Sequence, residues 1–258
     1  MTIQWSLVLF TMFVGLGAWL FVFVAIDQFL KKAPKAAFPA SLIALVAIGV
    51  GGVCSVFHLG HPERIFAALT HPGSGIFLEF ALLAVLAVCI VVFMILVKRE
   101  QGMAAKVVAI IGAVAGIALA FAMGASYIME ARPSWDTPML AIAYGLTALP
   151  MGAATWLWVA ASNAEDAPAV GKVYGMALLV SGVLAALAVI LFSLAGGLMI
   201  VALIAALAAA VLGFLATKGN NVAMLALIAA ACALIGAVCF RCGMWELGTG
   251  IMHFFGVI

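Results

Sequence analysis

Long apolar runs dominate the pattern of residues along the chain. Eight stretches of mostly apolar residues are separated by short polar segments. About 20 apolar residues suffice for a helix to cross the hydrocarbon core of a bilayer. The runs are too long for barrel strands and lack period-two alternation, so we predict helices. The predicted spans are 4–29, 37–58, 76–97, 104–128, 138–161, 173–194, 198–217 and 220–242.

Charged residues, proline and glycine account for the breaks between these runs. Lysines with Pro34 close the first run, and Glu165 with Asp166 and Pro168 closes the fifth. Only Gly196-Gly197 divides residues 173–217, a stretch far longer than one span. We therefore predict a tight turn at these two glycines.

The composition places the chain in the class of integral membrane proteins. Of its 258 residues, 69% are hydrophobic and 8% are charged, and the mean hydropathy is +1.38. A soluble domain is about half apolar and about a quarter charged. We predict an all-α bundle of eight transmembrane helices, with residues 1–258 forming a single domain. The net charge of +2 gives no basic patch for a nucleic-acid partner, so none is expected.

Basic residues between the predicted spans indicate the orientation of the chain. Odd-numbered connections hold eight of them, whereas even-numbered connections and the C-terminal segment hold three. Cytoplasmic loops of membrane proteins carry the excess of Lys and Arg, so both termini are expected outside the cytoplasm. The eight are Lys31, Lys32, Lys35, Lys98, Arg99, Lys106, Lys172 and Lys218, and the three are Arg64, Arg132 and Arg241.

Several polar and aromatic residues have simple interfacial interpretations. Asp27, near the end of the first span, lies one helical turn from Lys31 and is expected to pair with it. Tryptophans near span ends are typical of aromatic belts at the membrane surface. The tryptophans assigned to such belts are Trp5, Trp135 and Trp245 outside, and Trp156 and Trp158 inside. Arg132 and Arg241 are likewise expected to be interfacial anchors.

The pattern of histidine and cysteine does not favour a metal or haem site, and the only conceivable haem-ligand pair is His58 with His253. A membrane haem usually needs histidines that face each other across helices. Three of the four histidines, His58, His61 and His71, fall in or beside one short connection. A pair of Cys239 and Cys242 has C-x-x-C spacing but no second pair, so its role stays open. We expect no haem, iron–sulfur cluster or metal ion in this chain.

Glu79 and His58 are the strongest candidates for functional residues, because ionisable groups are energetically costly inside a span. They lie near the ends of the second and third spans, which are antiparallel and share one connection. They are therefore expected at equal depth and close together. An imidazole and a partly desolvated carboxylate suit proton-coupled chemistry on a quinone-like ring. Alternatively, His58 faces lipid headgroups, and Glu79 reaches the surface or pairs with Arg64.

Small residues at helical spacing indicate close helix crossings. Gly112 and Gly116 form a G-x-x-x-G pattern, and Gly51 with Ser55 forms a looser version. These patterns are packing signals and carry no chemistry.

The chain resembles the membrane anchor subunits of the dimethyl sulfoxide reductase type along its whole length. The most specific matches are the segment Phe57-His58-Leu59-Gly60-His61-Pro62 and Glu79 in the third span. The segments 126–129 (Ser-Tyr-Ile-Met) and 133–137 (Pro-Ser-Trp-Asp-Thr) also resemble the family pattern after the fourth span.

The resemblance implies a heterotrimer in the bacterial cytoplasmic membrane. A molybdopterin catalytic subunit would reduce the terminal acceptor, and a ferredoxin-like iron–sulfur subunit with four clusters would relay electrons to it. The anchor would oxidise menaquinol, with His58 and Glu79 as the residues implicated in that step. Arg64 and Tyr127 would shape the rim of the binding site.

Two other interpretations stay open from the sequence. A transporter or proton-conducting protein would use Glu79 as its carrier group, although we find no convincing internal repeat of the kind many transporters show. A structural anchor without quinone chemistry is the other. The membrane subunits of polysulfide reductases are a further family of the same functional class.

Overall fold

The computed structural model of the protein describes residues 3–57 and 73–248, and within these ranges every long element is an α-helix. The helices are α1 Trp5–Leu30, α2 Ala37–Val56, α3 Gly75–Lys98, α4 Gly102–Ala125, α5 Pro138–Asn163, α6 Ala167–Phe192, α7 Gly197–Ala216 and α8 Val222–Leu247. A 3-10 turn, Pro34–Ala36, precedes α2. All eight α-helices are long and apolar enough to cross a membrane. The predicted all-α membrane fold with eight spans, including the turn at Gly196-Gly197, is confirmed.

Two helices differ from the predicted bounds by more than a turn. α6 begins at Ala167 because the Asp166 carboxylate accepts a hydrogen bond from the backbone N–H of Ala169 (2.9 Å) and Pro168 occupies the first turn. α8 continues to Leu247, so Arg241 and Cys242 lie inside the helix rather than near its end. The boundary predicted from hydropathy lies at the first polar residues of this span, although those residues are buried in the structure.

The helices form two groups of four with the same pattern of neighbours. In the first group, α1 packs on α2 and α4, and α3 packs on α4. In the second group, α5 packs on α6 and α8, and α7 packs on both of these helices. α1 and α5 lie against each other at the centre and are the most deeply buried helices.

α1 and α5 pack side by side in parallel and in register. Gly15 faces Ala148, and Gly152 faces Trp19. The number of residues that separates the two partners along the sequence is the same in both pairs. It equals the number that separates the first residue of α1 from the first residue of α5. Together with the shared pattern of neighbours, this register gives the two halves a repeat-like arrangement, although the sequence shows no convincing internal repeat.

Glycine allows the central helices to approach closely. A Cβ atom on Gly152 would lie 2.4 Å from Trp19 Cβ and 2.6 Å from the backbone nitrogen of Leu20. A Cβ on Gly112 would lie 2.5 Å from the Phe21 ring, and one on Gly116 would lie 3.2 Å from the Ala18 carbonyl oxygen. The close crossing predicted from Gly112 and Gly116 is confirmed, and α1 is the helix that they meet.

The bundle has two chemically different ends. We call the end that contains residues 126–137, residues 193–196 and the end of α8 the aromatic end. The opposite end, with residues 31–36, 99–101, 164–166 and 217–221, is the lysine end. At the lysine end an exposed ion pair joins Lys35 and Glu165 (2.7 Å), and this hydrogen bond lowers the pKa of the Glu165 carboxyl.

Asp27 does not pair with Lys31 as predicted. Its carboxylate is fully buried and accepts hydrogen bonds from the backbone N–H groups of Lys32 (2.9 Å) and Ala33 (3.2 Å) and from the Tyr174 hydroxyl (2.7 Å). Lys31 instead donates to Gln28. The chain turns sharply after α1, because Lys31 adopts a left-handed conformation (φ 52°), and this turn brings the two N–H groups back to Asp27.

Candidate functional site

The first turn of α3 is fixed against the end of α4. The Ser74 hydroxyl caps α3 by accepting a hydrogen bond from the backbone N–H of Phe77 (3.1 Å). A Cβ on Gly75 would lie 3.1 Å from Ser126 Cβ, so the two helix ends are in close contact. This contact places Glu79, one turn into α3, beside Ser126.

Glu79 is half-buried, and one of its carboxyl oxygens, Oε1, is hydrogen-bonded to the Ser126 hydroxyl. Ser126 Oγ also lies 3.1 Å from the carbonyl oxygen of Met123. A hydroxyl has one proton to donate and two lone pairs to accept with. Ser126 can therefore donate to an ionised Glu79, or accept from a protonated Glu79 while donating to Met123. The arrangement suits a carboxyl group that gains and loses a proton.

Four aromatic residues, which we call the ring cluster, pack directly beyond Ser126. Tyr127 stacks on Tyr144 with ring centroids 5.3 Å apart and an interplanar angle of 26°. The edges of Trp135 and Trp245 meet Tyr127 at 5.9 and 6.0 Å. Trp135, Tyr144 and Trp245 are buried, whereas Tyr127 is half-buried. Tyr127 is thus the most accessible ring of the cluster, and desolvation of its hydroxyl raises its pKa well above the ordinary value.

The burial of these rings corrects part of the predicted aromatic belt. Trp135 and Trp245 lie at the depth expected for a belt, but they face the bundle interior, and so does Trp156 at the other end. Trp5 is 56% exposed, as a belt residue would be. Arg132 lies over the Trp135 ring at 4.6 Å and donates to the Gly248 carbonyl oxygen (2.5 Å), which closes α8 onto the connection after α4.

Arg241 is not an interfacial anchor, because its side chain is fully buried. Its Nε donates to the Thr11 hydroxyl (2.9 Å), and its terminal nitrogens donate to the carbonyl oxygens of Ala237 (3.1 Å) and Thr11 (3.2 Å). The guanidinium also lies 4.9 Å from the centre of the Tyr144 ring. Over the described residues no carboxylate lies within ion-pair distance of it. A permanent positive charge is thus fixed beside the ring cluster.

The Tyr144 hydroxyl is buried and has no hydrogen-bond partner within the described part of the chain. Most buried polar groups in proteins are hydrogen-bonded, so such an exception needs an explanation. The indole N–H groups of Trp156 and Trp245 share this condition. Of the three groups, Tyr144 lies between the permanent charge of Arg241 and the accessible ring of Tyr127.

These polar groups lie in one layer of the bundle. With a helix rise of about 1.5 Å per residue, Glu79 is about 6 Å, and Tyr144 and Arg241 are about 9 Å, from the nearest end of their helices. α1, α3, α5 and α8 each contribute one polar side chain to this layer, and residues 126 and 127 follow α4. The layer is therefore a polar site a short distance below one surface of the bundle.

Beside Glu79, the pair α2 and α3 is more open than any other pair of helices consecutive in the chain. Among the described residues, a Cβ on Gly49 would meet no atom within 4 Å, and one on Gly52 would meet only Leu83, at 3.9 Å. In the other half, the equivalent pair α6 and α7 is closely packed, since a Cβ on Gly182 would lie 2.6 Å from the backbone nitrogen of Ala210. The repeat is thus asymmetric, and the open pair is the one that carries Glu79.

Among the predicted site residues, the structure brings together Glu79 and Tyr127, through Ser126. His58 and Arg64 lie outside the described residues, so their predicted contacts with Glu79 stay predictions. The sequence interpretation missed Thr11 and Tyr144. Each is a polar residue inside an otherwise apolar span, and that was the available signal. Within the described ranges no three His, Cys, Asp or Glu side chains are grouped as metal ligands, and the five cysteines are unpaired.

Comparison with known proteins identifies the family. The family model described as DMSO reductase anchor subunit (DmsC) matches residues 1–242. The chain belongs to this family. The resemblance inferred from the residues at the ends of the second, third and fourth spans is thereby confirmed.

One curated relative of this anchor family member is the C subunit of the anaerobic dimethyl sulfoxide reductase of Haemophilus influenzae. The two sequences are 28% identical over 138 residues. That match covers 52% of this chain and 49% of the relative, so the chain spans about half the length of the curated protein it matches.

Proposed function

We propose that this protein anchors a molybdoenzyme complex in the bacterial cytoplasmic membrane and oxidises menaquinol at the aromatic end. Membership of the DmsC family supports the anchor role. The observation that carries the proposed chemistry is the hydrogen bond between Glu79 and Ser126. It combines a carboxyl group inside an apolar helix with a neighbour suited to both of its protonation states.

Oxidation of a quinol to a quinone releases two protons and two electrons. Glu79 accepts one proton from a quinol hydroxyl, and the Ser126 hydroxyl then turns to the Met123 carbonyl oxygen and accepts from the protonated carboxyl. From there the proton passes to water at the aromatic end, since Glu79 is only about one turn from the end of its helix. His58, the other predicted residue, binds a quinol oxygen and assists the second deprotonation.

The open pair α2 and α3 supports a lateral path for the substrate. An isoprenoid quinol is dissolved in the bilayer, so its ring has to pass between helices rather than through a water-filled channel. Within the described part of the chain, the face of α2 around Gly49 and Gly52 has space for a ligand. Glu79 lies on the partner helix of this pair. Arg64 and Tyr127 are proposed to form the rim of the site at which the ring stops.

The electrons leave one at a time to an iron–sulfur subunit that docks on the aromatic end and passes them to a molybdopterin catalytic subunit. The name of the Haemophilus influenzae relative, a component of a dimethyl sulfoxide reductase, supports partners of this kind. The family match also favours the anchor over the transporter that the sequence left open.

The test is quinol-dependent turnover of the assembled complex in Glu79→Gln, with Glu130→Gln as the matched control. Both glutamates lie at the aromatic end, but Glu130 is exposed on the connection after α4 and has no role in the proposed site. We expect Glu79→Gln to abolish turnover with menaquinol while assembly and turnover with an artificial electron donor to the catalytic subunit are retained. The control should keep both activities. Normal menaquinol oxidation in Glu79→Gln would contradict the site.

A further inference from the structure

The buried hydroxyl of Tyr144 lacks a hydrogen bond, and its surroundings indicate what would supply one. Tyr144 is 1% exposed, and Arg241, which lies over its ring, is 0% exposed. The hydroxyls of Thr11 and Tyr127 are its polar neighbours and interact with it, but within the described residues neither is placed with the distance and angle of a hydrogen bond. Arg241 uses three of its five N–H donors on Thr11 and Ala237, and its charge has no carboxylate partner within the described residues. The positive charge of Arg241 thus lies over the Tyr144 ring, and a positive charge beside a hydroxyl without a hydrogen bond suits a ligand oxygen that accepts one.

The position of Tyr127 provides a route to this hydroxyl. Tyr127 covers the Tyr144 ring by stacking on it, and it is the one half-buried member of the ring cluster. It lies on the connection after α4 rather than in a helix, so a change of its side-chain conformation would not require the α4 backbone to move. Its stacked position, next to Ser126 and Glu79, is also where a flat aromatic ligand would lie against Tyr144.

We propose that Tyr144 is a binding residue for the quinol ring: its hydroxyl, polarised by the Arg241 guanidinium over its ring, donates a hydrogen bond to the ring oxygen on the side away from Glu79. Arg241 acts through Tyr144 and is a positioning residue. This inference rests on the proposed quinol site and adds a hydrogen-bond donor to it. The two ring oxygens then meet chemically different partners, a proton acceptor on α3 and a hydrogen-bond donor on α5.

The decisive variant is Tyr144→Phe, because it removes the hydroxyl and keeps the ring that stacks on Tyr127. A hydroxyl without a partner contributes no hydrogen bond to the folded state, so the thermal stability of the ligand-free protein should not fall. Tyr174→Phe is the matched control. It is the same change at an equally buried tyrosine at the lysine end, where the hydroxyl does have a partner, Asp27. The control should lower the thermal stability but leave ligand affinity intact.

The measurement is the affinity of the full chain in lipid nanodiscs for a fluorescent quinol analogue. We expect Tyr144→Phe to weaken binding about tenfold, the effect of losing one hydrogen bond to the ligand. Arg241→Lys, which keeps the charge, should weaken binding less than Arg241→Gln. In protein with isotope-labelled tyrosine, the infrared C–O band of one tyrosine should shift when the analogue binds, and Tyr144→Phe should lack this shift.

The outcomes separate this inference from the proposed function. If the wild type binds the analogue and Tyr144→Phe binds it equally well, Tyr144 is not a ligand residue and the quinol site stands without it. A buried water on the hydroxyl would give that same result. If the wild type does not bind the analogue, both the quinol site and the role of Tyr144 are wrong.

Discussion

Asp27 and Glu79 are both carboxylic residues inside predicted spans, but their surroundings suit different roles. Asp27 is fully buried and faces only donors, two backbone N–H groups and the Tyr174 hydroxyl. Such a carboxylate is held as a fixed acceptor that ties the turn after α1 to α6. Glu79 is half-buried and has a hydroxyl neighbour able to donate or to accept. The first arrangement is structural, whereas the second permits proton transfer.

Replacing Asp27 by asparagine should therefore destabilise the protein. The amide has one acceptor oxygen in place of two, and its NH₂ group would face donors. Leaving a buried group unsatisfied costs about 1–3 kcal/mol. Thermal unfolding in detergent should show a clear loss of stability for Asp27→Asn and none for Glu130→Gln, whose side chain is exposed. Equal stability of the two variants would contradict the structural role.

Ser126 offers a separate test of the proton acceptor. Ser126→Ala removes the group that stabilises both states of Glu79, while Ser126→Thr keeps a hydroxyl. We expect the alanine variant to lower the rate of quinol oxidation by about tenfold, as for the loss of one hydrogen bond, and the threonine variant to retain most of it. Steady-state turnover of the assembled complex measures both. Equal rates in alanine variant and wild type would show that Glu79 works without this neighbour.

At this scale the sequence predicted some of the site and missed the rest for a physical reason. Glu79 stands out because ionisable groups are rare in apolar spans. The sequence predicts a surface position for Arg241, because it indicates how far along the helix the residue lies. It does not indicate whether the side chain faces the lipid or the bundle interior. Tyr144 carries no formal charge and was overlooked. Its significance depends on the absence of a hydrogen-bond partner, which only the packed structure shows.

At the scale of the helices, tight contacts between backbones hold the two halves of the bundle together. α1 is the helix shared by most of these contacts, with α2, α4 and α5 all packed against it. The sequence predicted seven of the eight helix starts to within two residues, because hydropathy and helix breakers act locally. Which helices contact one another could not be predicted, because the sequence of a uniformly apolar helix does not indicate which of its faces packs against a neighbour.

Gly152 provides the sharpest test of this packing. A methyl group there would meet the backbone of α1 at 2.5–2.6 Å, so Gly152→Ala should force α1 and α5 apart. Overpacking of this kind typically costs about 1–3 kcal/mol. Gly49→Ala is the control, because a Cβ at Gly49 meets no atom of the described residues within 4 Å. Thermal unfolding should separate the two variants, and a stable Gly152→Ala protein would contradict the contact between α1 and α5.

At the scale of the whole molecule, the fold is an asymmetric repeat. Both halves have the same order of neighbouring helices, but the pair α6 and α7 is closed and the pair α2 and α3 is open. The open pair carries the carboxyl group of the candidate site. We therefore expect the closed half to have a mainly structural role and the open pair to admit the substrate of the proposed site.

The charge distribution predicts how this asymmetric molecule is oriented. Eight of the eleven basic residues belong to the connections at the lysine end or lie near it, so we expect that end in the cytoplasm and the aromatic end outside. In a cysteine-free background, a cysteine at Lys218 should be labelled only from the cytoplasmic side and one at Glu130 only from the outside by a reagent that does not cross membranes. The reverse pattern of labelling would invert the proposed orientation.

The central claim is that a quinol binds beside Glu79, and equilibrium binding tests it most directly. The measurement is a titration of the purified chain in lipid nanodiscs with a fluorescent quinol analogue, for the wild type, Glu79→Gln and the control Glu130→Gln. The account predicts saturable binding to the wild type and to the control, and at least tenfold weaker binding to Glu79→Gln. Equal affinity in all three proteins would contradict the placement of the quinol site at Glu79.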